Sequence, residues 1–144
     1  MTGKNDSAMT DFALHPQLAA DTLEVGRYPL CRVLLMMDAT YPWLVLVPER
    51  RDIREIHELP PEDRAALMEE IVRTTQGLQA RYNPTKLNVA ALGNMVPQLH
   101  VHVIARFATD PAWPGPVWGK VPPRPYAAGE AEKLIVSLRP LLGV

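Results

Sequence analysis

The stretch Gln98-Leu99-His100-Val101-His102-Val103 alternates polar and apolar side chains before ending on Ile104. In an extended strand successive side chains point to opposite faces. Gln98, His100 and His102 therefore share one face, while Leu99, Val101 and Val103 face a core. Three polar side chains in a row, two of them imidazoles, are costly on a sheet face unless each finds a partner. Imidazole is also the side chain that switches most readily between nucleophile, acid and base near neutral pH. Three readings suit the pattern: hydrogen-bonded or solvated histidines without a ligand, a pair of zinc ligands, and phosphoryl chemistry. A zinc site takes about four ligands. The other donors, His15, His57 and Cys31, fall in separate segments with no ligand spacing.

A strand over 98–106 needs neighbours, and the chain supplies them. Apolar runs at 22–27, 30–37 and 43–48 predict three strands joined by short turns at 28–29 and 38–42, and short turns favour antiparallel pairing. Pro60, Pro61, Glu62 and Asp63 suit the first turn of a helix, through preset φ and charge complementary to the helix dipole. Leu67, Ile71, Leu78 and Tyr82 then mark its inner face, widened by Met68 and Val72, until Asn83-Pro84 stops it. A fourth strand is expected over 87–92, a turn over 93–97, and a second helix over 128–142. Strands grouped in runs with two main helices set apart argue an α+β fold on a five-stranded antiparallel sheet. A short helix fits between residues 12 and 21, after a frayed arm at 1–11. Residues 12–144 then form one domain.

At 144 residues the chain has room for one domain with a real core. Its net charge of −1 comes without a basic block, so a nucleic-acid partner is not expected. No apolar run reaches the roughly 18 residues of a membrane span, and the polar start carries no signal-peptide core. A cytoplasmic protein is the expectation. The single cysteine, Cys31, lies in an apolar run and reads as a buried, inert thiol. Six of the 15 prolines fall between Pro111 and Pro125, so the segment 109–126 is read as a long loop carrying Trp113 and Trp118.

From Gly93-Asn94-Met95-Val96-Pro97-Gln98 through His100 and His102 to Arg106, the chain resembles the signature of the histidine-triad (HIT) superfamily. There a glycine, an amide, a small hydroxyl residue and a valine lead into three histidines separated by apolar residues. The resemblance reaches back through Leu59-Pro60 and 43–48 to 34–38, about 75 residues. It implies a HIT-like fold and a homodimer whose two five-stranded sheets join as ten strands. The implied activity is nucleotide hydrolysis or nucleotidyl transfer at the α-phosphate of nucleotide conjugates, such as phosphoramidates or dinucleoside polyphosphates, without a cofactor. His100 takes the place of the middle histidine, the nucleophile that forms a nucleotidyl-histidine. His102 matches the third, beside the phosphate. Asp38 matches a residue that binds the ribose hydroxyls, and Asn94 the amide of the phosphate loop. Asn88 lies one residue out of register with a polar position on the adjacent strand. Asp38 and Asn94 also suit ordinary turns, and Arg106 reads as one half of a surface ion pair.

The chain departs from the pattern at three places. Gln98 replaces the first histidine, Trp43 stands where a further histidine is expected, and Met95 replaces the hydroxyl residue. Gln98 can still donate to a phosphate oxygen but cannot exchange a proton. Loss of a general acid typically costs about 10²–10⁴ in rate, so good leaving groups are expected to react well and amines slowly. Trp43 and Trp113 are carried as substrate-binding candidates. For Trp113 and Trp118 the alternative is that they anchor the loop on the core. A nucleotide-binding module with little turnover is the alternative function, and a zinc-binding protein a more distant one.

Overall fold

Five short apolar strands form the sheet: β1 (Thr22–Arg27), β2 (Cys31–Met36), β3 (Trp43–Pro48), β4 (Lys86–Ala90) and β5 (Val101–Arg106). The computed structural model describes residues 11–144, so all of the expected arm but Asp11 lies outside the described residues. The strand order is β1-β2-β3-β5-β4, antiparallel throughout. After β3 the chain runs through a long helix, α2 (Pro61–Tyr82), to the sheet edge at β4, and returns by a loop to place β5 between β3 and β4. This path sets the histidine strand beside Trp43, with Val45 opposite His102 and Trp43 opposite Ile104.

Alternation divides the buried side chains between two layers. Leu44, Leu46, Val101 and Val103 pack with Leu67 and Leu78 of α2 and with Ile135 and Leu138 of the last helix, α3 (Glu130–Leu142). Trp43, Val45, Val47 and Ile104 face the other way. They are covered by Leu18 of the short helix α1 (Pro16–Asp21) and by Ala112 and Val117 of the proline-rich loop. The site lies on this second side. The two main helices meet closely at Gly77, where a Cβ would stand 2.6 Å from Leu142 Cδ2.

The inner stripe of α2 is more polar than its periodicity suggests. Asp63, Glu70 and Thr74 are buried, whereas Met68 and Val72 are exposed. The reason at Glu70 is backbone satisfaction: its carboxylate accepts from the N–H groups of Leu30 and Cys31 (3.0 and 2.8 Å) at the start of β2. Cys31 is fully buried, and burial pushes its thiol pKa up, as an inert core thiol requires. Three strands are shorter than their apolar runs. β2 begins at Cys31, β4 ends at Ala90, and β5 begins at Val101, which leaves Gln98 to His100 in the preceding loop. Helix α3 begins at Glu130 rather than 128, after Gly129 in a left-handed conformation.

Candidate active site

His100, just before β5, and His102, within it, hold their rings 4.9 Å apart and nearly perpendicular, and both are buried. His100 Nδ1 stands 2.7 Å from the carbonyl oxygen of Gln98. A carbonyl only accepts, so Nδ1 carries the proton and donates. Nε2 is left with its lone pair and no protein partner among the described residues. On the next turn of the pleat, His102 Nδ1 accepts from the Trp43 indole N–H at 3.0 Å. Burial and the neighbouring His100 lower the His102 pKa to about 4, so His102 is neutral at physiological pH.

Both rings line a cavity of about 640 Å³ whose wall is mostly apolar. Leu18 of α1, Met36, Val96 and Trp118 supply much of that wall, and Met95 stands at the rim, almost wholly exposed. Asp38 lines the same cavity. Its Oδ1 accepts from the N–H groups of Thr40 (3.0 Å) and Arg124 (3.1 Å), tying the β2–β3 turn to the proline-rich loop. Its Oδ2 has no protein partner among the described residues. Asn94 lines the cavity from the β4–β5 loop, just after Gly93, whose φ of +72° suits glycine. A second cavity of about 420 Å³ opens on the other side of this loop, with His100 again in its wall.

The HIT domain family model matches residues 17–109. The chain belongs to the histidine-triad family. A histidine triad protein from Marinobacter aquaeolei VT8 is 52% identical over 92% of this chain and 96% of its own, with a TM-score of 0.89. One from Bradyrhizobium japonicum is 48% identical over 91% and 98%, also at 0.89. A hypothetical histidine triad nucleotide-binding protein from Sulfolobus tokodaii shares the fold at 15% identity, covering 85% of this chain and 84% of its own, with a TM-score of 0.61. No curated protein matches the chain.

Within this HIT domain, His100, His102, Asp38, Asn94 and Trp43 converge on one cavity. Three other candidates stand elsewhere. Gln98 turns its amide toward the N-terminal segment, donating to the Ala13 carbonyl and accepting from the His15 N–H, each at 2.9 Å. Its side chain clamps the segment that leads into α1, because residue 98 precedes β5 and does not obey the strand's alternation. Asn88 accepts from Arg106 Nη1 at 2.8 Å and lines neither cavity. Arg106 is not on the surface: it is 1% exposed, paired through two hydrogen bonds with Asp110 (2.8 and 3.0 Å). Trp113 lies against that guanidinium, 5.8 Å from its ring centre, so it anchors the loop. Trp118 is the loop tryptophan that reaches the site, edge-on to His102 at 5.1 Å and to Trp43 at 5.8 Å. Local pattern could not separate the two tryptophans. Nor could it foresee Leu18, which reaches the cavity only because the N-terminal segment folds back over the sheet.

Proposed function

We propose that this HIT protein is a nucleotide hydrolase or nucleotidyl transferase working at the α-phosphate of nucleotide conjugates, through a nucleotidyl intermediate on His100. The observation that carries this reading is the Nδ1–H bond from His100 to the Gln98 carbonyl, which leaves the Nε2 lone pair free as a nucleophile, with no protein donor on it among the described residues. The apolar cavity beneath Trp118 suits a base, and the unpartnered Oδ2 of Asp38 suits a ribose diol. Nε2 forms a bond to phosphorus, and the bond to the leaving group breaks with its electron pair going to that group. Attack by water or another acceptor then forms a new P–O bond and returns the pair to Nε2. Asn94 and His102 supply donors to the phosphate oxygens. The reaction as written uses no cofactor, and phosphoramidates and dinucleoside polyphosphates both fit it.

The alternative of a binding module with little turnover draws on one feature, the exposed methionine at the rim where a hydroxyl would assist the leaving group. Zinc binding has less support. No group of three or more His, Cys, Asp or Glu side chains converges as a metal site among the described residues. Assaying wild type and His100→Ala on one phosphoramidate and one activated nucleotide decides between catalysis and binding. His100→Ala should lose both activities, by at least about 10³-fold, while still binding nucleotide. Wild-type rates in His100→Ala would sink the mechanism, and no turnover by wild type would favour the binding module.

A further inference from the structure

Trp43 stands where the family resemblance leads one to expect a histidine, and the difference has a chemical consequence for His102. An indole nitrogen only donates, and it has no lone pair to offer in return. At 3.0 Å from His102 Nδ1, the Trp43 N–H therefore requires that nitrogen to be bare, and the ring proton must sit on Nε2. A histidine at position 43 would both donate and accept, so the pair could exchange a proton and either tautomer could form. The tryptophan is itself held. It is 7% exposed, set edge-on to Tyr41 (6.3 Å) on one side and to Trp118 (5.8 Å) on the other. It sits on β3 within the same sheet as β5, so the donor and its acceptor are both carried on rigid strands.

We propose that Trp43 is a positioning residue that locks His102 as the Nε2–H tautomer, making His102 a fixed hydrogen-bond donor in the cavity and not a proton carrier. A second proton on His102 would set Nδ1–H against the indole N–H, so the locked form is also the one that keeps the bond. The lock rests on the geometry alone; its bearing on catalysis rests on the function proposed above. There it narrows the substrate class. A leaving group displaced by His100 departs with the electron pair of its bond to phosphorus and takes its proton from solvent. Giving up the single Nε2 proton would leave His102 an imidazolate, with Nδ1 closed to a second proton by the indole N–H. Weakly basic leaving groups, such as phosphate, carboxylate or fluoride, are then favoured over amines.

The test is long-range ¹H–¹⁵N correlation of the histidine rings in the full-length ¹⁵N-labelled chain at pH 7. In wild type, His102 should show an unprotonated Nδ1 and a protonated Nε2. In Trp43→Phe, which keeps an aromatic ring but removes the donor, the two nitrogens should move toward the averaged shifts of mixed tautomers. A protonated Nδ1 in wild type, or identical ring shifts in Trp43→Phe, would overturn the lock, and the wild-type spectrum decides even if the variant fails to fold. Kinetics then read the consequence. Trp43→Phe should lower kcat by about tenfold or more with KM little changed. Trp43→His should raise the rate on an amine leaving group relative to a fluoride one. A rate ratio unchanged by Trp43→His would overturn the claim about leaving groups. A locked tautomer in a wild type without any turnover would instead remove the proposed function and leave the lock standing.

Discussion

Two histidines two residues apart are given opposite tasks by what touches their Nδ1 atoms. A carbonyl acceptor makes His100 Nδ1 a donor and bares Nε2, whereas an indole donor makes His102 Nδ1 an acceptor and protonates Nε2. The low pKa of His102, about 4, carries a cost that pH can reveal. Below the ordinary imidazole value of about 6.5 the unfolded chain takes up a proton that the folded site refuses. Stability should therefore fall between about pH 6.5 and pH 4, by as much as about 3 kcal/mol from this group alone. Urea denaturation at several pH values reads this directly, and His102→Gln should flatten that part of the curve. An equal slope in wild type and variant would show that another group is responsible. Because His102 is already largely neutral at pH 5, a decline in turnover between pH 8 and 5 would not come from this ring.

At the scale of elements, β5 is held at both ends by polar side chains whose hydrogen bonds run to other segments of the chain. Gln98, just before it, ties down the segment entering α1, and that helix supplies the Leu18 wall of the cavity. Arg106, at its end, is buried between the rings of Tyr41 and Trp113 and bonded to Asp110 and Asn88. The Arg106 guanidinium in turn holds the Asp110 carboxyl below the usual range. Asp110 also accepts from the N–H groups of Phe107, Ala112 and Trp113, which starts the proline-rich loop on its path over the sheet. Removing the carboxylate strands a buried cation, so Asp110→Ala should cost about 3–5 kcal/mol in chemical denaturation. A loss below about 1 kcal/mol, the range of exposed pairs, would mean that the arginine finds water or another partner.

For the whole molecule, the sheet order leaves β4 as an edge with no strand beyond it. Edge strands of this kind pair readily with another copy. Val89 on that strand, Leu92 just after it, and Met68 and Val72 on α2 are large apolar side chains left exposed in the single chain. We propose a two-fold homodimer that joins two sheets through β4, which would give these residues a partner surface. Sedimentation equilibrium at micromolar concentration should report twice the 16.1 kDa chain mass. Met68→Glu should shift the population toward single chains, and a wild type that sediments only as one chain would exclude this assembly. No helix among the described residues is long and apolar enough to cross a membrane.

What the sequence by itself determined is whatever depends on periodicity and on punctuation by proline and glycine. The five strands, the long helix opened by Pro60-Pro61, the closing helix and the looped segment 109–126 all follow from those local signals. So does the closeness of His100 and His102, two residues apart on an extended segment, although β5 itself begins only at Val101. Tertiary structure decided which polar side chains meet that face. Gln98 has the right parity but lies ahead of the strand, so its amide goes to Ala13 and His15. Asn88 is claimed by a buried arginine that looked like a surface residue, because burial depends on the Tyr41 and Trp113 rings arriving from other segments. Trp43 and Trp118 come to His102 across 59 and 16 residues of chain. Neither distance leaves a mark in local pattern, since a hydrogen bond between strands is set by register and loop path rather than by the residues on either side.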